Sequence, residues 1–380
     1  MENSKKNYIK SLEKMEIILG NGFDLFCGLK TRYSDFFESN NASLQTKDWA
    51  IHLDFGRLKT YFNKEIENRE QSAPPKTPKD SSLWHLFFYL KSPQKENSKW
   101  CEIEEEMLHS FERKENVNNN MSFWDMVFKL LSCETKAIPK YGTATNEDIE
   151  SCGAYMLKKY GFESEEKIFF KHLLKELNMF EKDFGSYVLN QIKQNKDYYL
   201  NSEKLLKRLS TNTSKIVSID SFNYSNLGKN KDRISFHNVN GDAQYPIFGI
   251  DSANIKINNP AYIFTKTSRR LIRDINSFFI AKLGDFKNVV VYGHSLNEQV
   301  YSFFFPIFDY LKLDDASQST SIIFAYSEFE GCDSDEICME QMEAICSIFY
   351  RYEKYLHPER EEMRLLDSLS AQGRIISRKI

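Results

Sequence analysis

Residues 15–29 read MEIILGNGFDLFCGL: a short apolar run, Ile17–Leu19, enters Gly20-Asn21-Gly22, and Phe23, Asp24 and Gly28 follow. A strand that ends in Gly-x-Gly lets the backbone come close to a phosphate, because no Cβ stands in the way and a following helix aims its first N–H groups there. The turn therefore reads as a nucleotide site. The complete G-x-G-x-x-G pattern asks for a third glycine, and Leu25 holds that position.

Three later segments have the character of this first run. Ile216–Ile219, Val289–Tyr292 and Ile322–Tyr326 are apolar or β-branched and too short for stable helices, so they read as buried strands. Arg233–Val239 and Tyr245–Ile250 flank the turn Asn240-Gly241-Asp242-Ala243 and are two further candidates. Buried strands alternating with helices predict an α/β protein with a parallel sheet covered on both faces. Ligands of such sheets sit outside the carboxyl ends of the strands, where this sequence is polar. Ile216–Ile219 leads to Asp220-Ser221-Phe222-Asn223-Tyr224-Ser225-Asn226, and Val289–Tyr292 leads to Gly293-His294-Ser295-Leu296-Asn297-Glu298.

Residues 31–210 read almost wholly as helix, an insertion between the two parts of the core, 1–30 and 211–330; residues 331–380 read as a charged helical cover or an oligomer contact. The proline-rich QSAPPKTPKDSS, 71–82, predicts an exposed loop. Tyr262–Leu283 reads as one long amphipathic helix that places Arg269, Arg270 and Arg273 together, as surface residues or as phosphate contacts. The acids Glu102, Glu104, Glu105 and Glu106 read as a solvated helix face. Aromatic stripes such as Trp84, Phe87 and Phe88 read as core.

Bulk properties narrow the function. A net charge of −3 provides no basic field for nucleic acid or an anionic membrane. Seven scattered cysteines without a C-x-x-C pair indicate neither a disulfide framework nor a zinc site, and no metal is implied. The N-terminus lacks the apolar region of a signal peptide, and no run approaches the ~18 apolar residues of a membrane span. A cytoplasmic protein is expected.

The segments LGNGFDLFCGLKTRYSDF near the start, WCEIEEEM at 100–107, SFNYSNL at 221–227, IFGID at 247–251 and VYGHSLNEQ at 291–299 together resemble the AbiH family of bacteriophage abortive-infection proteins. That family is distantly similar to sirtuin-type NAD-binding domains. The resemblance implies a Rossmann-like sheet with an NAD pocket, a role in arresting the infected cell, and a phage-derived trigger. Gly20-Asn21-Gly22 falls where sirtuins carry Gly-Ala-Gly, Asn223 on the asparagine of their T-x-N-x-D segment, and Gly293, Ser295 and Leu296 on a late Gly-Ser segment. Phe23, Tyr224 and Asn240 complete the implied cofactor contacts. Asn240-Gly241 stands where sirtuins carry a His-Gly pair whose histidine is a general base, a task asparagine cannot perform. His237 lies three positions earlier, on the opposite strand face.

Cleavage of a nicotinamide–ribose bond passes through a sugar cation. In that reading Asp24 faces the cation, Asn223 orients water or a ribose hydroxyl, and His294 acts as acid or base near neutral pH. Two alternatives stand beside this NAD glycohydrolase. One is a non-catalytic nucleotide sensor. The other takes VVVYGHSLN as a nucleophile elbow with Ser295 attacking an ester or amide, although Asn297 replaces the last glycine of G-x-S-x-G and the only later histidine is His357.

Overall fold

A computed structural model of the chain describes residues 13–41, 55–68, 81–91, 101–113, 121–132, 146–210, 214–227, 234–273, 286–328, 334–360 and 364–380. The chain divides into two compact units, one of Met1–Leu29, Ile192–Val239 and Ser277–Ile380, the other of Lys30–Gln191 and Asn240–Asn276. The described helices in chain order are α1 Asn21–Phe26, α2 Tyr33–Asn41, α3 Phe55–Asn68, α4 Leu83–Lys91, α5 Cys101–Phe111, α6 Phe123–Leu131, α7 Asn146–Tyr160, α8 Glu166–Gln194, α9 Tyr198–Leu209, α10 Lys266–Ile272, α11 Tyr301–Tyr310, α12 Ser334–Leu356 and α13 Leu365–Ala371.

The first unit is built on six parallel strands: β1 Glu13–Leu19, β2 Ser214–Ser221, β3 Ser235–Asn238, β4 Asn288–Tyr292, β5 Ser321–Tyr326 and β6 Ile375–Lys379, in the order β3-β2-β1-β4-β5-β6. The expected parallel α/β sheet is present. Side chains alternate along each strand, so the two faces of one apolar run serve two cores. Ile17, Leu19, Ile219, Val290 and Tyr292 pack with Phe23 and Cys27 near α1 and with Tyr198, Leu205 and Leu209 of α9. Ile18, Val289, Val291, Ile322 and Phe324 pack with Phe304, Ile307 and Phe308 of α11 and Ile345, Ile348 and Phe349 of α12. Full burial of each such side chain is worth about 1.5–3 kcal/mol, which is why uninterrupted apolar runs are needed where both faces are covered.

The second unit is helical around an aromatic core. Trp84 and Trp124 lie with ring centroids 5.2 Å apart and are fully buried. Each satisfies its indole N–H, Trp84 by donating to Leu173 O at 3.1 Å and Trp124 to Ser110 Oγ at 2.8 Å. Ser122 starts α6 with a capping box, its hydroxyl accepting from Asp125 N while the Asp125 carboxylate accepts from Ser122 N. In α8, Phe169, Leu173, Leu177, Phe180 and Phe184 recur every three or four residues and are buried along one stripe.

Several expectations are corrected. The helix expected over Tyr262–Leu283 is a 3-10 turn, Pro260–Phe264, followed by the short α10; 274–285 lie outside the described residues. Tyr245–Ile250 is not a strand: Pro246 has no N–H to give a ladder, and only Ile250 bridges, to Thr265. The C-terminal stretch read as wholly helical ends in β6, an edge strand whose Ile375, Ile376, Ser377, Arg378, Lys379 sequence is too charged to stand out. Of the proline-rich loop, 71–80 lie outside the described residues.

Candidate functional site

At the carboxyl ends of β1, β2 and β4 the three polar turns are bonded to one another. Gly20 N donates to Tyr292 O at 2.9 Å and Gly22 N to Gly293 O at 2.8 Å, joining the turn after β1 to the turn after β4. Phe222 N donates to Leu19 O at 2.8 Å, and Asn223 Nδ2 to Gly20 O at 3.0 Å, joining the turn after β2 to the same place. The sheet order reverses here, since β2 lies on one side of β1 and β4 on the other.

The glycines are explained by this junction. A Cβ on Gly20 would stand 2.4 Å from Gly293 O, and one on Gly22 would stand 2.7 Å from Gly293 Cα. Gly293 has φ +65, and its own Cβ would stand 2.6 Å from Phe23 N. The room that the sequence offers to a phosphate is thus used first by one turn's backbone against another's.

Around the junction the candidate residues fall into two layers. Phe23, Asp24, Asn223, Tyr224 and Leu296 are buried, whereas Asn21, Gly22, Gly293 and His294 are half-buried and Ser295 is exposed. Asp24 Oδ1 accepts from Tyr198 Oη and from Ser225 Oγ, both at 2.8 Å. Burial pushes its carboxyl up to about 6 against the downward pull of those two hydroxyls. His294 Nδ1 accepts from Leu296 N at 3.0 Å, and its ring stands edge-on to Phe222 and Phe304. An accepting Nδ1 leaves only Nε2 of a neutral ring for proton transfer. Leu296 adopts φ 53, so the strained residue of this turn is Leu296 and not Ser295. The Ser295 hydroxyl meets no histidine among the described residues.

Asn240 falls in the second unit, where Arg270 Nη2 donates to its side-chain oxygen at 3.3 Å and Ile247 N donates to its carbonyl at 2.8 Å. Two of the neighbouring arginines are engaged by a carboxylate. Arg269 is buried and donates to Glu181 Oε2 at 2.7 Å, and Arg273 donates to Glu181 as well. Phe248 N donates to Glu181 Oε1 at 2.8 Å, so the IFGID segment is anchored on the same carboxylate. Glu104 is also not solvated: it is buried and accepts from Lys266 Nζ at 2.6 Å.

Two residues of the junction, Tyr198 and Asn238, carry no local sequence signal. Tyr198 and Ser225 hold Asp24, and Asn238 Nδ2 at the end of β3 donates to both Asn223 O at 2.7 Å and Ser225 O at 2.8 Å. Asn238→Ala is expected to cost about 1–3 kcal/mol by leaving two carbonyls without this donor. Chemical denaturation reads the loss, and amide exchange should quicken over 222–227.

On the face of Ile18, a second polar group runs through the sheet. Glu16 of β1 lies beside Asp220 of β2, and His237 Nδ1 of β3 stands 3.1 Å from Asp220 Oδ1. His237, the alternative base, is thereby committed to Asp220.

These features define an α/β protein whose parallel sheet gathers glycine- and asparagine-rich turns at one rim. A family model described as "Bacteriophage abortive infection AbiH" matches residues 17–322, and the chain belongs to that family, which places it in abortive infection of phage-infected cells. No curated protein and no solved structure matches the chain. No helix among the described residues is long and apolar enough to cross a membrane.

Proposed function

We propose that this AbiH protein acts in phage defence by binding a nucleotide, with NAD the first candidate, against the turns that end β1, β2 and β4. The observation that carries this reading is the meeting of those three turns where the strand order reverses. The order β3-β2-β1-β4-β5-β6 is also that of Rossmann sheets, which take dinucleotides at this point, and it supports a Rossmann-like, sirtuin-like reading. Asn21, Gly22, Gly293, His294 and Ser295 are the accessible contacts; Phe23, Asp24, Asn223, Tyr224 and Leu296 hold them in place.

Recognition is better supported than cleavage. Asp24 already accepts two hydroxyls on one oxygen, Asn223 braces the Gly20 carbonyl, and His294 Nδ1 is held by its own turn. The binding reading therefore makes the protein a nucleotide sensor whose occupancy changes during infection. Titration calorimetry of the full chain with NAD should give saturable binding, weakened by Ser295→Trp, while chromatography shows no nicotinamide release. Release that is lost in Asp24→Asn would instead favour the glycohydrolase. Absence of binding by NAD, ADP-ribose and ATP alike would sink the nucleotide reading.

A further inference from the structure

We propose that Ser235, His237 and Asp220 form a second site, a serine nucleophile with its base and orienting acid, which takes the acyl group of a carboxylic ester. Ser235 Oγ stands 3.2 Å from His237 Nε2, and His237 Nδ1 stands 3.1 Å from Asp220 Oδ1. An activated serine needs this order of contacts, the hydroxyl on one ring nitrogen and the carboxylate on the other. The pairing also sets the tautomer. A carboxylate accepts from Nδ1–H, so Nε2 carries the lone pair that takes the Ser235 proton.

The sheet explains how residues of two strands meet in this way. Ser235 and His237 are two apart on β3 and share a face, and His237 lies opposite Asp220 in the register of β2 with β3. The imidazole reaches back along its own strand with one nitrogen and across to β2 with the other. Glu16, held neutral by burial, lies against Asp220 and takes its Oδ2, which leaves Oδ1 to the ring. Depth is graded in the same direction. The Asp220 side chain is 0% exposed, that of His237 is 17% exposed, and Ser235 is half-buried on an edge strand, so the acid is shielded while the hydroxyl lies toward solvent. An oxyanion donor stands beside them. Val239 N donates to Ser221 O at 2.8 Å, and N–H groups alternate along a strand, so Phe236 N–H points away from β2 at the edge of the sheet. It is the amide that follows the nucleophile, the position that serves the oxyanion in a nucleophile elbow.

These groups can run ester cleavage with every proton placed. Ser235 Oγ bonds to the acyl carbon as its proton passes to Nε2; the ester C–O bond breaks, and the departing alcohol takes that proton. Water then repeats the transfer: its proton goes to Nε2, its oxygen to the acyl carbon, and Oγ leaves and recovers the proton.

The test treats the full chain with a fluorophosphonate, which an activated serine attacks with loss of fluoride, and maps the adduct by mass spectrometry. One adduct per chain is expected, on Ser235. That reading is made on the parent protein and without NAD, so it depends neither on a variant's folding nor on the nucleotide reading. Ser235→Ala should abolish the adduct, and His237→Gln should slow its formation at least about a hundredfold, with circular dichroism to show that both are folded. The parent should also hydrolyse p-nitrophenyl acetate, and Ser235→Ala should lose that activity. An unlabelled Ser235 overturns the proposal. So does a Ser235 that is labelled equally fast in His237→Gln or in the urea-unfolded chain.

Discussion

Gly293→Ala is expected to cost about 2–4 kcal/mol, the sum of two separable penalties. The first is conformational: φ +65 suits glycine and disfavours any residue with a Cβ, by roughly 1 kcal/mol. The second is steric, since the new Cβ would stand 2.6–2.8 Å from backbone atoms of Gly22 and Phe23, which cannot rotate away. Overpacking of this kind costs about 1–3 kcal/mol. Two controls separate them. Gly161 has φ +82 with nothing within 4 Å of its missing Cβ, so Gly161→Ala should show only the conformational loss. Gly20 has φ −103, an ordinary extended value, yet its Cβ would meet Gly293 O at 2.4 Å, so Gly20→Ala should show only the clash. Urea denaturation measures all three. Equal small losses at the three positions would mean that the turns after β1 and β4 are not in backbone contact.

Glu16→Gln is expected to stabilise the protein by about 2–3 kcal/mol at neutral pH. As ionised groups, both Glu16 oxygens and Asp220 Oδ2 lack a hydrogen-bond partner in a buried site. A proton on Glu16 resolves this by donating to Asp220. Burial first, then the Asp220 carboxylate, holds the Glu16 carboxyl well above its ordinary value of 4.5. The folded protein therefore keeps a proton that the unfolded chain releases above that value. Stability from this group is complete below pH 4.5 and falls as pH rises, by up to about 1.4 kcal/mol per pH unit. Glutamine donates to Asp220 at any pH. The stability difference between Glu16→Gln and the parent should grow with pH between 5 and 8; a difference that stays flat would show that no proton is shared.

The fold was legible where burial is two-sided. β1, β2, β4 and β5 carry apolar residues toward both cores, and such runs announce themselves in sequence. β6 does not, because an edge strand needs fewer apolar residues and its charges resemble those of a surface helix. The helix expected over Tyr262–Leu283 is interrupted at Thr265, whose extended backbone ends the 3-10 turn Pro260–Phe264 and whose hydroxyl caps α10 by accepting from Ser268 N. At the candidate site the glycine turns were visible, but the backbone that fills their space, Gly293 against Gly20 and Gly22, comes from a remote segment and leaves no local mark. Tyr198 and Asn238 were invisible for the same reason, since each acts on a group brought to it by the fold, and Ser225 stood in the polar turn after β2 without showing that it would bond Asp24. Conversely, Arg269 and Arg273 looked suited to phosphate only because Glu181, their partner, lies in a distant helix.

The proposed ligand site is formed by the turns after β1, β2 and β4. Hydrogen–deuterium exchange of the full chain with and without saturating NAD addresses it most directly. Slowed exchange confined to residues 20–26, 221–227 and 293–297 is expected. Unchanged exchange in all three segments, or protection only within 240–276, would contradict it.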